Sequence, residues 1–401
     1  MDYIVSMKDS FTKFELVCAA LCILAVLNLI WAAYQQLLKR PATTEFASVN
    51  RRELWIDILK VVSAFMIVLI HVSGSLYNKI FSSDNSGWFL MCVINAIPRF
   101  AVPCFLMITG TFSLGKGKHY NFPVVRKKVI RILIPLLFWS IMYIVARKVL
   151  WNQGNLIEEV LKIPFEKKDG SLWYAYQLIW LYLGMPFWQI LWERLEQKMR
   201  RYFVLFTLGI PGVLTMAGEL SLLGVDEYLP FTSIRPELCY VGMLFLGRML
   251  YEAIFTIDRR RILRISSVCI LAGLASMILG SVYLSINTNA SAHNLFSEVR
   301  ISGVLYGTGV FLAFSLQENH LAKFPVLLKK MVTALSRVSL GVYFSHCLMN
   351  WLLSDTMITG FYFNRDANVL SVLLCAVMSW GASSAMCILM SKLPILRKLV
   401  E

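Results

Sequence analysis

The chain has 401 residues, of which 58% are hydrophobic and only 16% charged, and its mean hydropathy is +0.64. A soluble domain carries about 25% charged residues. No single soluble core can absorb this apolar excess, so it must face lipid. The net charge of +15 would suggest nucleic acid in a soluble chain. Here the lysines and arginines cluster in short connections between apolar runs, which is a topology signal and argues against a nucleic-acid partner.

A membrane-spanning helix needs about 20 mostly apolar residues. Eleven candidate spans follow in order, near 16–36, 54–73, 88–112, 129–149, 172–192, 202–222, 237–256, 265–286, 299–317, 332–354 and 368–390. The first has no small-residue cleavage site and reads as a retained helix rather than a signal peptide. The predicted fold is therefore all-α, a polytopic transmembrane bundle of about eleven spans. Residues 1–49 form an N-terminal helix with a cytoplasmic linker, and 50–401 a single membrane domain.

Basic residues recur in alternate connections: Lys39, Arg40, Arg51 and Arg52; Lys116, Lys118 and Arg126 to Lys128; Arg194 to Arg201; Arg259 to Arg264; Lys323 to Lys330; and Lys392 to Lys398. The positive-inside rule makes these cytoplasmic. The N-terminus is then outside and the C-terminus inside. The 150–171 connection carries both signs of charge.

Ionisable residues within spans cost energy and are functional candidates by default. The second span places Asp57, Lys60 and His71 on one helical face. His71 follows Lys60 by eleven residues, ~16 Å along the axis, and Asp57 is one turn from Lys60 and able to pair with it. The plainer alternative is that these side chains snorkel to the two interfaces. In the third span Arg99 stands between Pro98 and Pro103, where broken helix and a charge can line a cavity; a structural arginine at the interface is the rival. Thr109-Gly110 permits close approach of another helix. Among the aromatics that open the fifth span, Trp180 and Trp188 read as an interfacial belt, whereas Trp173 and Tyr174 are candidates for donor or acceptor binding. Tyr343 and His346 share a face in the tenth span, and from the residues alone His346 reads first as a satisfied core histidine and second as a functional one. Arg235, Arg300 and Tyr306 are weaker candidates; His119, His293 and His320 read as surface residues.

All nine cysteines lie in or beside apolar runs without CxxC spacing and read as buried hydrophobes. No Walker A loop, HExxH, GxSxG or spaced Cys/His set occurs, so neither a metal site nor ATP-driven transport is expected.

Four segments taken together resemble the acyltransferase-3 family of bacterial membrane O-acyltransferases, in its single-domain, O-acetyltransferase-like branch. They are ELWIDILKVVSAFMIVLIH, PRFAVPCFLMITG, SLWYAYQLIWLYL and VSLGVYFSH, and the resemblance spans roughly residues 50–395. It implies a ten-helix core, here preceded by one extra helix, in a bacterial cytoplasmic membrane. It also implies acyl transfer from acyl-CoA, with acetyl-CoA as co-substrate rather than a bound cofactor, to a carbohydrate or lipid-linked sugar. His71 is the implied catalytic histidine, with Asp57 and Lys60 beside it. Lys60 and Arg99 fall in the donor channel, and Arg126, Lys127 and Lys128 are placed to meet the phosphates of the donor. Thr109 or Tyr343 is the candidate oxyanion donor. Lys60 stands where the family has arginine, Thr109 where it has serine, and Ser171 where it has histidine. A transporter or flippase for a small polar molecule is the rival reading.

Overall fold

The computed structural model describes residues 53–83, 87–220, 236–354 and 369–401. The predicted span at 16–36 and Arg235 lie outside these residues. Every regular element among the described residues is helical, as backbone groups in hydrocarbon require.

In chain order the helices are α1 (Leu54–Ser83), α2 (Trp88–Ala96), a 3-10 turn (Ile97–Phe100), α3 (Ala101–Ser113), α4 (Phe122–Trp151), α5 (Leu156–Leu161), α6 (Trp173–Leu183), α7 (Met185–Arg194), α8 (Gln197–Val204), a π-helical turn (Leu205–Gly209) and α9 (Ile210–Glu219). Then come α10 (Pro236–Ala253), α11 (Arg259–Thr288), α12 (Ile301–Ser315), α13 (Glu318–Leu321), α14 (Val326–Arg337), α15 (Ser339–Ser354), α16 (Val369–Ser391) and α17 (Pro394–Arg397). Six segments, 54–78, 88–113, 122–151, 197–219, 259–288 and 369–391, are long and apolar enough to cross a membrane.

Length and composition alone do not bring the described segments to the predicted count of eleven, for local reasons. The span predicted at 172–192 is two helices meeting at Gly184-Met185, just before Pro186, because proline removes a backbone donor and clashes with the preceding turn. Pro98 sits in the 3-10 turn that interrupts 88–113, and the π-helical turn precedes Pro211. The predicted 332–354 span is shared between α14 and α15, which separate at Val338.

Each of the two longest spans, α4 and α11, has 30 residues, ~45 Å of helix. The Asn121 side chain accepts from the Val124 amide to start α4, and Asp258 accepts from the amides of Arg260 and Arg261 to start α11. Both end on an asparagine in the left-handed region, Asn152 (φ 51°) and Asn289 (φ 49°), a residue type that tolerates this conformation. Ile134, Leu137 and Ile141 on α4, and Val268, Leu271 and Leu279 on α11, are exposed; these are the faces left for lipid.

Helix α1 is central, packing against α2, α3, α12, α14, α15 and α16. Helices α3 and α10 cross at glycines. A Cβ on Gly110 would lie 2.0 Å from the Leu244 carbonyl oxygen, and one on Gly247 2.2 Å from that of Met107. The close approach expected at Gly110 is thus present, with α10 as the partner.

Contacts also sort the ends of the bundle. Arg131 Nε donates to the Glu401 carbonyl at 2.9 Å, the Gly341 amide donates to Val400 O, and Ser336 Oγ donates to Asp57 Oδ1 at 2.6 Å. The Trp55 amide donates to Glu318 at 3.0 Å, and Arg259 donates to Leu316 O at 2.5 Å. The basic segments around 126–131, 259–264, 323–330 and 392–398 therefore gather where α1 begins. At the far end of α1, Tyr77 Oη donates to Ala292 O at 3.0 Å and Ser291 Oγ to Asn78 at 2.9 Å.

Candidate active site inside the helix bundle

Helix α1 carries the polar stripe through the bundle. At its basic end Asp57 is buried and accepts from Ser336. Lys60 is half-buried with Nζ 5.3 Å from the Phe112 ring centroid, a cation–π distance. His71, four turns of helix from Asp57, reaches a second ionisable cluster at the other side of the bundle core.

That cluster is built with α15. The imidazoles of His71 and His346 lie 5.0 Å apart between centroids. His346 Nδ1 is 2.7 Å from the Tyr343 carbonyl. A carbonyl only accepts, so Nδ1 carries the proton and Nε2 of the neutral ring keeps its lone pair. Nε2 is in turn 3.3 Å from Cys347 Sγ. His346 is 1% exposed and Cys347 7%, whereas His71 is half-buried; His71 is the open member.

The turn after His71 is fixed by a residue that the periodicity of the stripe does not reveal. Asn95, fully buried on α2, donates from Nδ2 to Ser73 Oγ at 2.8 Å and to Ile70 O at 3.3 Å. Its Oδ1 accepts from Arg99 Nη2, and its carbonyl accepts from Arg99 Nε at 3.2 Å. Asn95 thus ties Arg99 to the two residues that bracket His71. The Arg99 guanidinium lies 4.9 Å from the Phe296 centroid. Nearby, Glu298 accepts from Tyr240 Oη at 2.7 Å. Tyr306 Oη donates to the Ile97 carbonyl in the proline-broken turn at 2.8 Å, so this carbonyl is satisfied by protein. A signal for Asn95 was present: a lone amide in an apolar run, one helical turn before an arginine.

The 150–171 connection returns into the bundle. Lys168 is 4% exposed, and its Nζ lies 3.2 Å from Glu159 and 3.4 Å from Glu166, so the mixed charges pair with each other. Asp169 caps the next turn by accepting from the Ser171 amide at 2.8 Å. Ser171, buried, accepts through its carbonyl from Tyr343 Oη at 2.6 Å, and the same hydroxyl accepts from the Ala175 amide at 3.2 Å. The proton of Tyr343 is committed to α6, and Thr109 Oγ1 donates to its own helix at Phe105 O, 2.9 Å away. As they stand, neither hydroxyl points a proton at His71.

Trp173 and Tyr174 form an aromatic wall. Trp173 is 5.9 Å from Tyr240 and 5.8 Å from Tyr174, and Tyr174 is 5.6 Å from Tyr343. Arg126 and Lys127 are exposed at the basic end. Lys128 instead lies over Tyr182 at 4.9 Å and Tyr120 at 5.7 Å. Arg300 pairs with Glu219 at 2.5 Å, and His293 is exposed, as expected, with its ring 5.1 Å from that of Tyr77. Of the predicted residues, the structure brings His71, His346 and Tyr343 into one neighbourhood, with Arg99 joined to it through Asn95. Asp57 and Lys60 remain at the other end of the stripe.

Fold and site together define a helical bundle with apolar, membrane-length helices and an ionisable interior. A family model described as an acyltransferase domain matches residues 53–388, most of the chain, and the chain belongs to this acyltransferase-3 family. Comparisons with curated proteins and with solved structures gave no match.

Proposed function

We propose that the protein is a membrane O-acyltransferase that moves an acyl group, acetyl in our reading, from cytoplasmic acyl-CoA to a hydroxyl of a cell-surface or lipid-linked carbohydrate. The observation that carries this is one continuous helix face. It has Asp57 and Lys60 at the basic end of the bundle, and His71 across the core from them facing His346. Family membership supplies acyl transfer as the reaction class.

In this reading the basic end is cytoplasmic. Exposed Arg126 and Lys127 attract the donor phosphates there, and Lys60 supplies positive charge along the route inward. Neutral His71 takes the proton of the acceptor hydroxyl as general base. The oxygen attacks the thioester carbonyl, a C–O bond forms and the C–S bond breaks. The coenzyme A thiolate leaves and recovers the proton from the imidazolium. Arg99, anchored by Asn95, places positive charge near the region where the oxyanion develops. Trp173 and Tyr174 offer apolar faces to a sugar ring or to the pantetheine arm.

Membrane vesicles supplied with acetyl-labelled acetyl-CoA and an extract of envelope glycans and lipid-linked sugars test the proposal. Alkali-labile label should appear in the acceptor with the native chain and fall by ~10²–10⁴-fold in His71→Ala. Equal labelling by a well-folded His71→Ala protein would remove His71 from the chemistry. Absence of label with every acyl-CoA tried would count against the transferase reading itself.

A further inference from the structure

The His71, His346 and Cys347 cluster has the composition of a transition-metal site, with the His346 ring already oriented by a backbone carbonyl. One ring nitrogen of each histidine and the Cys347 sulfur all lie within 4.8 Å of one another. Two imidazoles and a thiolate are a ligand set of the zinc class. Around a tetrahedral ion, with nitrogen at about 2.0–2.1 Å and sulfur at about 2.3 Å, ligand atoms sit roughly 3.3–3.6 Å apart. His346 Nε2 and Cys347 Sγ are already 3.3 Å apart, and His71, within 4.8 Å of the other two ligand atoms, closes the set by a ring shift of up to about 1.5 Å. The Nδ1 contact of His346 with the Tyr343 carbonyl, 2.7 Å, is the outer-shell bond that orients metal-binding histidines and fixes the tautomer that leaves Nε2 free to ligate. His71 is the least buried of the three.

We propose that His71, His346 and Cys347 bind one divalent transition metal ion of the zinc class, and that this occupancy shuts off acyl transfer. Binding forms two bonds from imidazole lone pairs and one from the Cys347 sulfur, whose proton is released to solvent. The lone pair of His71 that ligates the ion is then lost to proton abstraction. The second half of the proposal rests on His71 as the base; the first half does not.

The test uses the full chain, purified without a histidine tag, stripped with a chelator and titrated with Co²⁺ as a spectroscopic probe. The expected result is saturation at one equivalent, with thiolate-to-cobalt charge-transfer absorption and ligand-field bands of tetrahedral intensity, both abolished by stoichiometric Zn²⁺. Cys347→Ser should lose the charge-transfer absorption and weaken Zn²⁺ binding at least tenfold; His346→Ala should weaken it similarly. Cys375→Ser, altering a thiol that contacts Asn350 instead, should leave both signals intact. No saturable binding by the native chain, or binding that survives both Cys347→Ser and His346→Ala, overturns the site. In the vesicle assay, Zn²⁺ should inhibit labelling reversibly, and Cys347→Ser should raise the inhibitory concentration at least tenfold. Metal bound through these ligands without inhibition overturns the second half alone. A chain that binds cobalt as described but transfers no acyl group with any donor overturns the enzymatic reading and leaves the site standing.

Discussion

At the scale of single residues, Asn95 shows how a buried amide can matter as much as a charge. It uses both Nδ2 protons and Oδ1, joining Ile70 and Ser73 to Arg99. Asn95→Ala removes the Oδ1 acceptor of the guanidinium and leaves it only the backbone carbonyl at position 95, and an unsatisfied buried group costs about 1–3 kcal/mol, more when it is charged. A thermal-shift measurement in detergent should therefore show a lower melting temperature. Acyl transfer should fall in kcat more than in KM for the donor, because Arg99 acts near the reacting centre in our reading. Arg126→Gln with Lys127→Gln should do the opposite. These exposed charges act on the incoming phosphates, so KM for acyl-CoA should rise several-fold at low salt, kcat should hold, and the difference should shrink as ionic strength screens it. An unchanged KM would place donor entry elsewhere.

At the scale of elements, glycine and proline decide how the helices meet. The α3–α10 crossing has no room for a methyl group at Gly110 or Gly247, because the clashing atoms are backbone carbonyls of the facing helix and cannot rotate away. Gly110→Ala must separate the two helices. Overpacking typically costs about 1–3 kcal/mol, and the expected readout is a lower melting temperature and less monodisperse protein after extraction. A variant as stable as the native chain would show that the crossing is looser than described. The same physics explains the broken spans. Pro98 reads as a breaker in the sequence, whereas Pro186 lies inside the single span predicted at 172–192; whether a break yields a kink, a 3-10 turn or two separate helices depends on which neighbour satisfies the freed groups. Tyr306, donating to Ile97 O, belongs to a helix more than 200 residues away.

At the scale of the whole molecule, the gathering of basic segments around the start of α1 makes a statement about orientation. If that end is cytoplasmic, as we propose, Lys127→Cys should react with a membrane-impermeant maleimide only in inside-out vesicles, and Ser291→Cys, at the far end of α1 beside Asn78, only in right-side-out ones. Labelling of both positions from one side would overturn the orientation. Fold class, the central α1 stripe and its named residues were legible in the sequence, because hydropathy and helical period are properties of the chain itself. Tyr343 was legible as a conspicuous residue but not in its part. Its hydroxyl is committed to Ser171 and Ala175, contacts that exist only because the 150–171 connection dips back into the bundle.

The sequence by itself determined that this chain forms apolar helices with charges carried inside, since each run's composition leaves no other way to satisfy its backbone in lipid. It also determined that Asp57, Lys60 and His71 share a face, because a helix of fixed pitch admits no alternative. Only the tertiary structure decided what that face meets. His346 and Cys347 are 275 or more residues from His71 along the chain, and no periodicity within one helix reports which other helix lies across from it. Their convergence is set by packing among α1, α15 and α6 at ångström scale, and it is this convergence that turns a core histidine and a small buried thiol into partners of the proposed base.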